Sequence, residues 1–255
     1  MTKPFVTGCI VTHNNMRTIK DALDTILEYT KDIDFRLYVV DNLSTDETPK
    51  FIRENYPQVC LVEPNTNRGF GAGHNVVLPM IESKYHFVIN PDIILKDNAI
   101  KKMVDYMEDN EDIGLVSPKI CFPDGKEQIL GKLNPSLKYL FASRMRGEDE
   151  PGALLKEYAM LDKDLTVVQD IENASGCFMG FRTDLFKEVG GFDKRYFMYF
   201  EDADISREAA KRKRVVYFPE AVVYHLWGRD SKRNLKLLRI HIFSMLKYFI
   251  KWKSI

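Results

Sequence analysis

Three acidic or imidazole-bearing segments, far apart in the chain, each close an apolar run: Phe87-Val88-Ile89-Asn90-Pro91-Asp92, Tyr199-Phe200-Glu201-Asp202-Ala203-Asp204 and Val222-Val223-Tyr224-His225. A carboxylate just past a strand, a second acidic cluster and a distant histidine are the donors that a divalent-metal site needs when its substrate carries phosphate. Pro91 stiffens the turn that aims Asp92, whose carboxylate could hold Mg²⁺ or Mn²⁺ and through it a diphosphate. The competing use of that turn is an Asx turn or a helix cap near Asp97. Glu201, Asp202 and Asp204 sit among Phe197, Tyr199 and Phe200, where like charge and apolar rings raise carboxylate pKa values and suit a general base. Their competing use is to cap the following helix, with Asp204 and Arg207 as an exposed pair. His225, before Trp227-Gly228-Arg229, is either a ligand or a structural imidazole.

Two loops complete the polar inventory. In Asn65-Thr66-Asn67-Arg68-Gly69-Phe70-Gly71-Ala72-Gly73-His74-Asn75, small residues let backbone N–H groups approach a phosphate and Arg68 can pair with its oxygens; a tight turn opening a helix would use the same residues. Asp41 and Asn42 can meet a nucleobase edge or form an Asx turn before Ser44.

Stepping outward, Gly8–Val11, Leu37–Val40, Cys60–Val62 and Phe87–Ile89 read as short buried strands. The helical spacing of Ile19, Ala22, Leu23, Ile26 and Leu27 separates the first two. Ser44-Thr45-Asp46 supplies cap chemistry for a helix through Phe51 and Ile52 that Pro57 stops. A further helix is expected over Val76–Ile81, a short one from Thr183 to Gly190-Gly191, and another from Asp202 to about Arg212, with a late strand at Val215–Phe218. Strands alternating with helices imply an α/β fold, a Rossmann-like, mostly parallel sheet flanked by helices, with ligands at the carboxyl ends of the strands. Val11, Val40 and Ile89 all end there. Prolines and glycines punctuate 120–169, and Arg144-Met145-Arg146-Gly147-Glu148-Asp149-Glu150 reads as a mobile surface loop.

The 255 residues balance 37 Lys+Arg against 37 Asp+Glu, which gives no electrostatic case for nucleic acid. A 45% hydrophobic content is enough for a real core. Neither a signal-peptide pattern nor a bilayer-length apolar run is read, and Cys9, Cys60, Cys121 and Cys177 lack metal spacing, so the expectation is a cytosolic protein with reduced thiols. From Ser231 onward, Lys232, Lys236, Arg239, Lys247 and Lys251 share one side of a helical wheel. Leu237, Leu238, Met245, Tyr248, Phe249 and Trp252 lie opposite. Such a basic amphipathic tail can rest on an anionic membrane surface, or dock on its own domain or on a second subunit as a homodimer.

Taken together, Ile10-Val11-Thr12-His13-Asn14-Asn15, Val39-Val40-Asp41-Asn42-Leu43-Ser44-Thr45-Asp46, the Asn67–Asn75 loop, Ile89-Asn90-Pro91-Asp92, Ser175-Gly176-Cys177-Phe178-Met179-Gly180-Phe181-Arg182, Val189-Gly190-Gly191-Phe192-Asp193 and Tyr199–Asp204 resemble the inverting family-two glycosyltransferases, in particular their rhamnosyltransferase-like branch. The resemblance covers nearly everything from Phe5 to about His225. It implies a GT-A fold as a single compact unit: a nucleotide-sugar-binding half at 1–120, an acceptor-binding and catalytic half at 121–228, and a tail at 229–255. It further implies that Thr12, His13, Asp41 and Asn42 line the nucleobase pocket, with the Asn42 carbonyl accepting from a uracil or thymine N3–H. Arg68 and the adjacent Gly69 and Gly71 would flank the diphosphate, and Asn14, Phe70 and Asn75 complete the expected nucleotide-sugar-binding set. Asn90 and Asp92 stand where relatives carry an Asp-x-Asp metal motif, so Asp92 with His225 would hold Mg²⁺ or Mn²⁺ and Asn90 would assist. Asp202 would be the catalytic base and Glu201 its support. The implied donor is a nucleoside diphosphate sugar such as dTDP-L-rhamnose and the acceptor a glycan or lipid-linked glycan; the expected place is the cytoplasm, with the basic tail allowing peripheral attachment to the inner face of the cell membrane. A sugar-nucleotide-forming nucleotidyltransferase and an inactive membrane-surface scaffold are the alternatives. The first lacks its N-terminal Gly-rich signature; the second leaves Asp92, Asp202 and His225 unexplained.

Overall fold

The computed structural model describes residues 3–144, 151–226 and 235–253. Met145 to Glu150 of the charged loop, Trp227-Gly228-Arg229 and Lys232 lie outside the described residues. In chain order the elements are β1 (Val6–Thr12), α1 (Ile19–Glu28), β2 (Phe35–Asp41), α2 (Thr48–Asn55), β3 (Cys60–Val62), α3 (Phe70–His74), β4 (Tyr85–Ile89), β5 (Ile93–Ile94), α4 (Ala99–Asp109), β6 (Ile113–Cys121), α5 (Leu137–Arg144), α6 (Ala153–Tyr158), β7 (Gln169–Asp170), β8 (Phe178–Arg182), α7 (Thr183–Glu188), α8 (Glu201–Ala210), β9 (Arg214–His225) and α9 (Leu235–Trp252).

The sheet runs in the order β3-β2-β1-β4-β8-β6-β9-β5, with β7 on β9. β1, β2, β3 and β4 pair in parallel, β6 and β9 run parallel to each other, and β8 lies antiparallel between β4 and β6. Alternation along each strand feeds two cores. Val6 and Ile10 join α1 and α4 through Leu23 and Met103 on one face, while Cys9 and Val11 join α7 and α8 through Phe186 and Ile205 on the other. The mostly parallel α/β architecture is therefore as expected, with a single reversed strand in its middle.

Local departures have local causes. The expected Val76–Ile81 helix does not form, because Pro79 lacks an N–H; the glycine-rich loop itself winds into α3 and only a 3₁₀ turn follows at Leu78–Met80. β6 carries Gly114 and Pro118 and gave no readable strand pattern, yet it is buried along its length. The Val215–Phe218 run and the run ending at His225 are one strand, β9, with a register shift where Pro219 interrupts the ladder.

The apolar side of α9 docks on the chain itself. Tyr248 and Phe249 pack with Tyr196, Phe200 and Ala203. Lys251, expected on a basic surface, instead points inward: its Nζ donates to Asp204 at 2.8 Å and Asp193 at 3.1 Å and lies 3.4 Å from Glu208. Asp204 is buried and also accepts from the Trp252 indole, so the exposed Asp204–Arg207 pair is replaced by a buried tie between α8 and α9.

Candidate active site

Because β8 runs antiparallel beside β4, its entry Ser175-Gly176-Cys177 lies at the carboxyl edge of the parallel strands. Ile89 pairs with Phe178, and the next residue, Asn90, donates its N–H to the Cys177 carbonyl at 2.9 Å. One residue back, the Gly176 N–H donates to Asp202 Oδ2 at 3.1 Å. The space above Gly176 is bounded by Asp202 and by the Phe70 ring, which a Cβ there would meet at 3.1 and 3.4 Å. The metal-type pair, the acidic cluster and the glycine-rich loop thus converge on one tripeptide.

Asp92 and His225 are joined by the β5–β9 pairing, in which Ile93 faces His225. His225 Nε2 lies 3.4 Å from Asp92 Oδ1 and 3.4 Å from Asn90 Nδ2. The other ring nitrogen, Nδ1, lies 3.3 Å from Gln128 Oε1, and Gln128 Nε2 donates to the His225 carbonyl at 2.8 Å. This grip fixes the ring and turns Nε2 toward the carboxylate, as outer partners of a ligating histidine do. Burial alone would lower the imidazole pKa, but neighbouring Cys177 and Asp92 outweigh it and hold it at about 10. Asp92 Oδ1 is buried with no hydrogen-bond partner. A buried carboxylate oxygen 3.4 Å from this ring would suit a divalent cation only as the imidazole gives up its proton, so metal binding here would release a proton. No set of three or more His, Cys, Asp or Glu among the described residues can hold a metal, so substrate oxygens and water would fill the remaining positions.

The acidic pair is presented by an unusual turn. Tyr199 and Phe200 both adopt left-handed conformations (φ 71° and 68°) immediately before α8. Strain of this kind costs roughly 1–3 kcal/mol per residue and persists only where surroundings over-determine it. Here α9 supplies the clamp: Ser244 Oγ donates to the Met198 carbonyl at 2.8 Å, and the Phe200 and Tyr248 rings pack at a tilt of 42°. Asp202 is partly exposed, accepting from Gly176 N–H and from its neighbour Ala203 N–H at 2.8 Å. Burial raises its pKa despite these donors. Glu201 is buried, with Oε2 unpartnered; burial, and then the Asp202 charge, push its pKa well above the carboxylate range. The two acids therefore differ in setting: Asp202 stays partly exposed beside Gly176, whereas Glu201 is buried behind it, where the upward push on its pKa is the stronger.

On the nucleotide side, β1 and β2 end together, Thr12 opposite Asp41. Asp41 is buried, gives Oδ2 to the Ser44 N–H at 2.9 Å and leaves Oδ1 without a partner. It is an acceptor awaiting an N–H. Asn42, also buried, donates Nδ2 to the Gly69 carbonyl at 2.8 Å and accepts the Arg68 N–H at 3.4 Å. Its carbonyl, expected to receive a nucleobase N3–H, is thus engaged in tying this loop to the glycine-rich one. His13 is exposed, its Nδ1 held 2.9 Å from the Asn42 carbonyl, and leaves a flat ring face open. Thr12 is fully buried and bonds Asn15, while Asn14, left-handed, accepts from the Thr45 N–H at 2.7 Å. Arg68 is exposed at the rim. Gly69 has φ 81° and a Cβ there would fall 1.9 Å from the Phe197 carbonyl; one at Gly71 would meet Phe192. Asn75, expected among the nucleotide-sugar-binding residues, has its amide engaged within the chain. Its amide donates to and accepts from the backbone of Phe192, at 2.6 and 2.9 Å, so it clamps the Gly190-Gly191-Phe192 turn.

Gln128 and Gly176 were not anticipated as site residues. Nothing in the spacing around Gln128 signals its grip on His225, whereas Gly176 sat inside a quoted motif that left its N–H without a role.

The model of the family described as "Glycosyl transferase family 2" matches residues 8–190. Among curated proteins, the N-acetylglucosaminyl-diphospho-decaprenol L-rhamnosyltransferase of Mycobacterium tuberculosis is 28% identical over 214 residues, covering 77% of this chain and 69% of its own length. The rhamnosyltransferase WbbL of Escherichia coli is 26% identical over 255 residues, covering 95% and 91%. The dTDP-rhamnosyl transferase RfbG of Shigella flexneri is 27% identical over 140 residues, covering 51% and 48%. Among solved structures, the mannosyltransferase PcManGT of Pyrobaculum calidifontis, in complex with GDP-Man and Mn²⁺, superposes with a TM-score of 0.65 at 21% identity over 98% of this chain. Staphylococcus aureus TarS 1-349 with UDP gives 0.62 at 16% over 96%. The chain spans just under two thirds of each of those solved chains, 64% and 66%. Their likeness is one of fold, the GT-A type.

Proposed function

Since this chain belongs to glycosyl transferase family 2, we propose that its cavity transfers a sugar, L-rhamnose from dTDP-L-rhamnose, to a hydroxyl of a growing lipid-linked glycan at the inner face of the membrane. The observation that carries the reading is the convergence on Ser175-Gly176-Cys177 of the loop at Gly69–Phe70, the Asp92–His225 pair and Asp202. The rhamnosyl-transferring relatives support the sugar, the name of the Shigella protein supports the nucleotide, and the name of the mycobacterial one supports a lipid-diphosphate acceptor.

In this reading Asp41 Oδ1 accepts the N3–H of the thymine and His13 lies against the base. Arg68 and the α3 backbone meet the diphosphate. Asp202 takes the proton of the acceptor hydroxyl as its oxygen forms a bond to the anomeric carbon, and the bond from that carbon to the diphosphate oxygen breaks on the opposite face. One displacement inverts the centre. Asp92 and His225, steadied by Asn90 and Gln128, would hold Mg²⁺ or Mn²⁺, which offsets the charge growing on the leaving diphosphate.

A panel of sugar nucleotides, incubated with the protein and each metal in turn, tests this directly. The expected result is nucleoside diphosphate release that is greatest from dTDP-L-rhamnose and abolished by chelation. Release of pyrophosphate from a nucleoside triphosphate instead would replace the assignment with nucleotidyl transfer.

A further inference from the structure

We propose that the outward face of α9 is a docking surface for an anionic lipid bilayer, lying flat on it rather than crossing it. The apolar side recognisable in the sequence is consumed by packing onto α8 and its preceding turn, so any lipid contact must use the opposite side. That side is not polar. Leu235, Ile242, Leu246 and Ile250 follow one another at helical spacing, with relative exposures of 76%, 42%, 48% and 76%, and Phe243 beside them is 63% exposed. An apolar stripe of this length left in water marks an interaction site rather than a solvated face.

Charge selects the occupant. Between Leu235 and Lys253 there is no acidic residue; Arg239 lies within the arc of the stripe, Lys236 and Lys247 stand at its margin, the latter donating to the Arg195 carbonyl, and exposed Lys253 follows the last turn. A second copy docking isologously would set these cations against themselves, since a two-fold contact presents the same patch from both sides. Anionic headgroups complement them instead, while the aliphatic side chains enter the headgroup boundary. No described helix is long and apolar enough to cross a membrane, which leaves an in-plane orientation. The inner side of the same helix grips the turn that presents Asp202. An α-helix with side chains is about 10–12 Å across, so lipid would lie within roughly that distance of this turn. The location deepens the lipid-linked acceptor reading and rests on it for its purpose, though not for its physical argument.

The test is flotation of the full chain with vesicles of mixed phosphatidylglycerol and phosphatidylcholine against vesicles of phosphatidylcholine alone, with neither donor nor acceptor present. Wild type is expected to float with the anionic vesicles and to be released by salt. Leu246→Glu with Ile250→Glu should weaken the association at least about tenfold while the melting temperature holds. Arg239→Gln with Lys253→Gln, which spares the stripe, should weaken it by roughly tenfold. The proposal is overturned if wild type ignores anionic vesicles, if both pairs of substitutions bind as wild type does, or if sedimentation shows a dimer that Leu246→Glu with Ile250→Glu dissolves. Since these vesicles carry no sugar acceptor, failure here leaves the transfer assignment standing. Failure of the donor screen would likewise leave this surface standing.

Discussion

Replacing Asp202 by asparagine separates chemistry from structure more cleanly than any other change in this chain. The side chain keeps its size. Its carbonyl can still accept one of the two N–H groups, from Gly176 or Ala203, that now reach the carboxylate. The other N–H would face an amide NH₂, a loss of about 1 kcal/mol. Relief from burying a charge acts in the opposite sense, since burial is what raises the Asp202 pKa. The net change in stability should therefore be small. Turnover should not survive: a positioned general base contributes typically 10²–10⁴-fold, or about 3–5 kcal/mol of barrier. Glu201 cannot stand in, because it is buried and burial pushes its pKa upward, away from the ionised form a base needs. The measurements are sugar transfer or donor hydrolysis beside calorimetric binding of the nucleoside diphosphate. Wild-type rates should climb with pH as Asp202 deprotonates, through a limb displaced upward from the ordinary aspartate value by burial, and that limb should vanish in the variant. If Asp202→Asn retains more than about a tenth of wild-type turnover with nucleotide binding intact, the base has been misassigned.

Other consequences concern the groups around it. Glu201→Gln should leave nucleotide binding intact and change the pH dependence of stability: the folded wild type holds the Glu201 proton more tightly than the unfolded chain. Its contribution is thus full below the unfolded value of about 4.3 and is lost as pH rises from there through the raised folded value. Melting curves across that window should show wild type falling relative to the variant, and parallel curves would refute the upward push on Glu201. Gln128→Leu, which touches no substrate, should cost about 10–100-fold in Mn²⁺ affinity measured by titration with nucleotide present, because His225 loses the partner that orients it. Unchanged affinity would remove His225 from the ligand set. Lys251→Met strands the buried Asp204 and should destabilise by about 2–3 kcal/mol, less than the 3–5 kcal/mol of a fully isolated buried charge because Trp252 and Tyr196 still donate to it. Adding Asp204→Asn should recover part of that loss in chemical denaturation, and a strictly additive double variant would mean that the two side chains do not interact.

What the sequence made legible follows from what is local. Buried runs such as Val6–Thr12 and Phe35–Asp41 announce strands because both faces are apolar, and Asp41, Asp92 and His225 announce themselves by closing such runs. The amphipathic spacing of Ile100, Met103, Val104 and Met107 makes α4 equally local, whereas β6 is masked by Gly114 and Pro118. What was not legible is relational. Asn42 and Asn75 have the same polar amide as a nucleobase reader, and only their partners, the backbones of Gly69 and Phe192, reveal them as ties between loops.

The reversal of β8 is the most consequential relation of this kind. No periodicity distinguishes an antiparallel strand inserted between β4 and β6 from one more parallel strand. Yet this insertion turns Ser175-Gly176-Cys177 toward the carboxyl edge, where its backbone meets Asn90 on one side and Asp202 on the other. Had β8 run parallel to β4, its entry would sit at the opposite rim and the acid of α8 would have no route to Asp92 and His225. The same logic explains α9. Its wheel shows Lys251 among cations, but three carboxylates on the facing surface draw that one lysine inward, and doing so rotates Leu246 and Ile250 out to solvent. An ion network anchored on buried Asp204 thereby helps decide which side of the helix is free to meet a partner.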